Sequence, residues 1–374
     1  MIAYFDNSAT TKPCEAAVDA VTQAMCQCWG NPSSVHNLGI DASRRLKEAR
    51  LSVATALGAE DDRVFFTSGG TEADNWAIFS AAERLQKRGK HIVTTSVEHH
   101  AVLHPMKKLE ERGFEVTYLS PDGEGRISLE ALQNALRPDT ILVSIMMVNN
   151  ETGAVMPIER MAKLTHRLSP NALFHTDAVQ GFLKVIFRAK SLGADLISIS
   201  GHKVHALKGV GALYIRKGLA LPPYLHGGGQ ELDYRSGTEP MPAIVSFGAA
   251  CRDALPDLRN SLAEETRLKK YLQAGLSAID GVVLLGAQEA PHIVNFSVPG
   301  VRSQGLINCL QDRGVYVSAG SACSKGHRSH VLEACKIAPE LIDGSVRASL
   351  SRFTTQEECD RLIEAVKIAC AQLK

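Results

Sequence analysis

The chain has 374 residues, 45% of them apolar and 22% charged, and a formal net charge of +1. At about 150 residues per domain this length predicts two to three domains, and the near-neutral balance argues against nucleic acid or an anionic membrane surface as the main partner. No apolar run approaches the ~20 residues that span a bilayer. The start MIAYFDNSATTKP lacks the basic-then-apolar pattern of a secretory signal and the arginines of a transit peptide, so a cytoplasmic location is expected. Nine cysteines in so long a chain read as free thiols, mostly small buried apolar residues, with room for one reactive nucleophile. The C-x-C pair Cys26 and Cys28 has no matching second pair and reads as structural.

From about position 60 to about 215, short β-rich runs alternate with helical stretches. In chain order the predicted strands are RVFFTS, HIVTTSVEH, ILVSIMMVNN, ALFHTDAV, DLISISG and ALYIRK. Between them lie EADNWAIFSAAERLQKR, AVLHPMKKLEER and IERMAKLTHRL, with helical character. The alternation predicts an α/β fold with a mainly parallel sheet and helices on both faces. Its strands are nearly continuous in apolar character, as burial on both sides requires. Beyond the Gly/Pro-rich stretch LPPYLHGGGQELDYRSGTEP a long helix is expected around 243–275, then strands near 282–297 and 314–318, then helices to the end. The expected division is a large domain over 13–255 and a smaller α+β domain made of 1–12 and 256–374.

In such sheets ligands sit outside the carboxyl ends of the strands, so the polar residues there are the candidate site residues. TSGGTEADN, with Gly70 and Thr71, follows a strand and opens a helix, which makes either an anion site or an ordinary capped glycine turn. Asp177 and Gln180 stand at the end of ALFHT, where a carboxylate can pair with a protonated ring nitrogen or form a buried ion pair. Ser200, His202 and Lys203 follow DLISIS, with Gly209 and Gly211 allowing a tight turn beyond. Desolvation lowers an amine's pKa and favours Schiff-base chemistry with a carbonyl, although most lysines are plain surface charges. His202 with His205 lacks a third metal ligand. His99, just past another strand, can stack on a ring or move a proton, while His100 reads as an exposed helix-start residue. Asn150 offers an amide at the end of a further strand.

Together these residues form a ring of polar groups at consecutive strand ends, and with YFDNSATT, GNPSSVH, RSGTEP, SAGSAC and VRASLSRF they resemble the cysteine desulfurases. These belong to the class V aminotransferases, fold-type I enzymes dependent on pyridoxal 5'-phosphate. The resemblance implies that Lys203 carries the cofactor as a Schiff base and shuttles the Cα proton. It implies that His99 stacks on the ring, that Asp177 holds the ring nitrogen protonated and that Gln180 bonds the ring hydroxyl oxygen. Gly70, Thr71, Ser200 and His202 would hold the phosphate, joined by Thr238 from the opposite subunit of a homodimer. Asn150 and Arg347 would grip the carboxylate of L-cysteine, Arg347 through a bidentate pair.

Cys323, in SAGSACSKGHRS, matches the nucleophile that takes the substrate sulfur as a persulfide. Its neighbours Lys325, His327 and Arg328 favour the thiolate. The expected partners are L-cysteine and a protein sulfur acceptor serving iron–sulfur cluster, thio-tRNA or cofactor synthesis, with no direct nucleic acid, membrane or metal. The rivals are a selenocysteine lyase, another class V aminotransferase, and a non-catalytic sulfur-transfer scaffold. The Cys323 loop reads as slightly shorter than in relatives that feed iron–sulfur scaffolds, and the chain stops at Lys374 without their longer tail, which leaves the acceptor open.

Overall fold

A computed structural model describes residues 2–319 and 328–373. The chain opens with strand β1 (Ala3–Tyr4) and helices α1 (Glu15–Gln27) and α2 (Asn37–Leu57). The long α2 is stopped by Gly58, whose φ of 67° suits a residue without Cβ. Next come β2 (Val64–Thr67), α3 (Gly70–Leu85), β3 (His91–Thr95), α4 (His100–Glu111) and β4 (Glu115–Leu119). They are followed by α5 (Leu129–Ala135), β5 (Thr140–Ser144), α6 (Ile158–Leu168), β6 (Leu173–Asp177), α7 (Ala189–Leu192), β7 (Leu196–Ser200) and β8 (Gly211–Ile215).

Among the described residues, seven strands make the main sheet in the order β2-β8-β7-β6-β5-β3-β4. Neighbours run parallel from β7 to β4, whereas β8 is antiparallel to both β7 and β2. Every one of the predicted strand runs is present, and β4 is an addition. Its sequence EVTYL begins on an exposed glutamate and is only partly covered, so the continuous apolar signature of a central strand is missing. One face of the sheet packs against α1, α2, α6 and α8 (Met241–Ala254) through residues such as Val53, Phe174, Ile197 and Phe247. The other face packs on α3 and α4 through Phe65, Trp76, Ile78 and Met106.

Two expectations for the later chain need correction. The helix expected around 243–275 is two helices, α8 and α9 (Leu258–Ser277). Pro256 lies between them and has no N–H to continue the ladder. The tail is not helical throughout. After β9 (Val283–Leu285), β10 (Ile293–Ser297), α10 (Ser303–Gln311) and β11 (Val315–Tyr316) come α11 (His330–Ala334) and α12 (Pro339–Asp343). A further strand, β12 (Ser345–Ser349), then pairs antiparallel with β10 before α13 (Gln356–Leu373). SVRAS is poor in the branched residues that mark strands, and it is its buried pairing that makes it one. A second core gathers Phe5, Leu268, Leu272, Phe296, Leu310 and Leu362, and β1 joins it by pairing with β11.

Gly211 acts differently from the turn residue expected of it. It pairs with Ser200 on one side and Thr67 on the other. A Cβ there would stand 2.6 Å from the carbonyl carbon of Gly69 and 2.7 Å from Ile199 O. The missing side chain lets the loop opening α3 close down on the sheet. Gly211→Ala should therefore cost about 1–3 kcal/mol by overpacking, read as a lower urea midpoint; an unchanged midpoint would show that the loop yields without cost.

Candidate active site

At the carboxyl ends of the parallel strands lies a cleft of ≈ 260 Å³. Gly70 and Thr71 enter it after β2, His99 after β3, Asn150 after β5, Asp177 and Gln180 at β6, and Ser200, His202 and Lys203 at β7. Arg347 reaches it from the middle of β12. Thr238 is exposed and lies away from this cleft in the single chain. Cys323 lies outside the described residues.

The N-terminal segment closes over Lys203. Its Nζ donates to Ser8 O at 2.6 Å and to Ala9 O at 2.7 Å. Thr11 ties the same segment down: its amide and its hydroxyl both donate to His202 O, and its Oγ1 accepts from His205 N. His202 Nδ1 is 3.2 Å from Thr10 Oγ1, and burial, then the charge of Lys203, pushes its pKa down to about 4. His99 Nδ1 accepts from Ala101 N and so caps α4 at 3.1 Å, which leaves the ring proton on Nε2. Burial and then Lys203 bring its pKa to about 4 as well, so it is a neutral imidazole at neutral pH.

Asp177 Oδ1 accepts from Val179 N at 2.8 Å. Burial raises its pKa to about 6, opposed by that hydrogen bond and by Lys203. Two buried acids that sequence reasoning missed lie close by. Asp74, inside TSGGTEADN, lines the cleft, and burial followed by repulsion from Asp177 raises it well above the usual carboxylate range. His175 Nε2 lies 3.5 Å from it, and burial lowers that imidazole to about 3. Glu98 Oε1 accepts from Thr95 Oγ1 and Met146 N, while its Oε2 is buried with no partner among the described residues. Burial takes Glu98 to about 8. The signal for both was an acidic residue in a motif read only for its glycines and histidines.

The expectation of an exposed His100 is overturned. It is half-buried, lines the cleft, and packs its ring 5.0 Å from that of His104 and 4.8 Å from that of His330. α11 brings His330 into place, which no local pattern announces. Arg347 is more committed than a free carboxylate grip. Its Nη2 pairs with Asp6 Oδ1 at 3.1 Å and its Nη1 donates to Asn150 O at 2.9 Å, while Nε is buried without a partner among the described residues. The segment bearing Thr238 is anchored to the loop at α3: Arg235 forms a two-point pair with Glu72, and Arg50 one with Glu231. Glu231 Oε2 also accepts from Phe66 N on β2.

Compared with known proteins, the family described as aminotransferase class-V matches residues 3–362. The chain belongs to the class-V aminotransferases, among the cysteine desulfurases. The cysteine desulfurase IscS of Methanosarcina thermophila is 44% identical over 367 residues, 97% of this chain and 90% of that protein. The enzyme of the same name from Dictyoglomus turgidum is 41% identical, covering 99% and 95%. A solved NifS-like protein superposes with a TM-score of 0.94 at 37% identity over the whole of both chains. A structure titled SspA in complex with cysteine has a TM-score of 0.80 at 32% identity, covering 94% of this chain and 99% of that one.

The cofactor of these enzymes is pyridoxal 5'-phosphate, and the cleft suits it on its own chemistry. Ser200 Oγ is buried with no partner among the described residues, beside the amides that open α3 and the Thr71 hydroxyl. Such a set of donors is what a phosphate requires. An amine and a buried carboxylate face the same cleft, as a ring with an aldehyde and a basic nitrogen requires.

Glu98 yields a pH test. Its folded value of about 8 lies above the 4.5 of an exposed glutamate, so the folded chain holds this proton more tightly than the unfolded one. The stability due to it is complete below 4.5 and is lost as pH rises through about 8. Glu98→Gln keeps the shape without the titration, so its urea midpoint should decline less than that of the unaltered protein over that window. Parallel declines would show that Glu98 ionises normally.

Proposed function

We propose that this chain removes sulfur from L-cysteine, releasing L-alanine and leaving a persulfide on Cys323 for transfer to a protein acceptor. The observation that supports it most is the meeting of Lys203, Asp177, His99 and Arg347, from four separate stretches of chain, in one cleft. When bound, pyridoxal phosphate supplies an electron sink for the bonds at the substrate Cα. The remaining steps belong to the chain's own residues. Gly70, Thr71, Ser200 and His202 hold the phosphate, His99 lies against the ring as a neutral imidazole, and Asp177 keeps the ring nitrogen protonated. A cationic partner stabilises the carboxylate form, which draws Asp177 below its value of about 6. Arg347 and Asn150 orient the substrate carboxylate, Arg347 through donors left over from Asp6. Lys203 takes the Cα proton once its nitrogen is released. The Cys323 thiolate then attacks Sγ: an S–S bond forms, the Cβ–S bond breaks with its electron pair left on carbon, that carbon gains a proton, and Lys203 returns a proton to Cα to give alanine. Sulfur passes to the enzyme with no external oxidant or reductant.

The same reading includes a cytoplasmic homodimer. No described helix is long and apolar enough to cross a membrane. Trp29 and Val35, beside and in the GNPSSVH stretch, are 69% and 93% exposed, and Met25 and Ile40 are further exposed apolar side chains of this region. A second copy on that face would cover it, and Thr238, exposed in the single chain, would reach the phosphate of the opposite cleft.

Three measurements test this reading. Borohydride treatment of the yellow holoenzyme should fix the cofactor onto the peptide containing Lys203; a colourless protein, or label elsewhere, overturns it. Cys323→Ala should keep the colour and lose alanine and sulfide release from L-cysteine, whereas undiminished release removes Cys323 from the mechanism and transamination products favour the rival enzyme. Thr238→Ala should weaken cofactor binding roughly tenfold or more, as expected for a lost hydrogen bond to a charged group; a monomer in sedimentation would refute the shared site.

A further inference from the structure

Beneath the cleft, buried polar side chains converge on one amide. Gln180 and Lys184 are four residues apart in the turns after β6, where Phe182 N bonds to Ala178 O and Val185 N to Gly181 O. That spacing brings Lys184 Nζ to 3.3 Å from Gln180 Oε1, to which it donates. His292, on the approach to β10, places Nε2 at 3.3 Å from the same oxygen. The other end of the amide, Gln180 Nε2, donates to Ser8 O at 2.9 Å, the carbonyl that also accepts from Lys203. Glu265 on α9 is buried and lines the same small cavity as Lys184; burial lowers Lys184 to about 7 and raises Glu265 to about 7, each opposed by their mutual attraction. Lys184 itself is only 7% exposed and is absent from the lining of the cleft.

A primary amide is nearly symmetric in shape, so its surroundings decide which end faces where. An ammonium has donors only, and Oε1 alone can meet it. A carbonyl oxygen only accepts, and Nε2 alone can meet Ser8. Burying an ammonium is costly unless it is paired and hydrogen-bonded, so this arrangement reads as a constraint on Gln180 and not as incidental packing.

We infer that Lys184, supported by Glu265, is a positioning residue: it holds the Gln180 carbonyl away from the cleft so that the NH₂ group is presented to the ring hydroxyl oxygen of the cofactor. This rests on the reading of Gln180 as the partner of that oxygen. Losing the donor makes the ring oxygen more basic, and the pH midpoint of the bound cofactor's visible absorption rises. A hydrogen bond to a charged group corresponds to a rise of about one pH unit.

The experiment is a spectrophotometric pH titration of the holoenzyme and its variants. Lys184→Met with Glu265→Leu removes both charges and leaves no lone buried ion; Lys184→Met alone is prepared in parallel, and whichever binds cofactor carries the measurement. The expected result is a midpoint raised by about one unit, equal to the rise in Gln180→Ala, with no further rise when the changes are combined. Lys184→Arg, which keeps a charged donor, should retain the original midpoint. If Gln180→Ala raises the midpoint and the Lys184 variants do not, the inference falls and the Gln180 reading stands. If Gln180→Ala itself has no effect, the contact with the ring oxygen falls and the inference with it. Additive rises would mean that Lys184 acts on the ring through its own charge, which also overturns the proposal.

Discussion

Removal of water from the strand ends is the constraint on which the site depends. Six buried groups gathered there are displaced towards their neutral forms: His99, His175 and His202 downwards, Asp74, Glu98 and Asp177 upwards. Burial is the largest cause in every case. Asp177 is the least displaced of the three acids with respect to neutral pH, because the Val179 amide and Lys203 both favour its charge. Of those three acids Asp177 most readily carries a charge, and in a dry setting a pairing of opposite charges is stronger than in water.

Dryness requires closure, and the closure is made by chain that lies far away in sequence. Residues 8–11 cross the Lys203 turn and satisfy its backbone and its amine. β12 brings Arg347, which ties Asp6 and the Asn150 carbonyl together. Glu151, next to Asn150, accepts from Ser329 Oγ at 2.5 Å, so the residues just beyond the Cys323 segment are bonded to the wall of the cleft. The sheet supplies the floor, and the two ends of the chain supply the lid of polar contacts. One layer deeper, Lys184 donates to Gln180 and is attracted by Glu265 on α9.

The sheet was legible in the sequence because its strands are short, apolar throughout and separated by helices of clear period, a pattern few other folds produce. The strand-end polar residues were legible for the same reason: once strands are placed, so are their ends. β4 and β12 were not, since one is a half-covered edge and the other is made of small polar residues whose strand state comes from pairing with β10. The split at Pro256 is present in the sequence but masked by the helical pattern on either side.

The sequence by itself determined which groups stand at the strand ends, an amine, a carboxylate, an imidazole and a glycine turn opening a helix, and the family whose motifs they match. Tertiary structure alone decided their state. Whether Asp74 and Glu98 hold protons, whether His100 is a surface residue or part of a histidine stack, and which end of its amide Gln180 turns to the cleft all depend on groups tens to hundreds of residues away. Hydrogen bonds and desolvation act through space, and a local pattern carries no record of them.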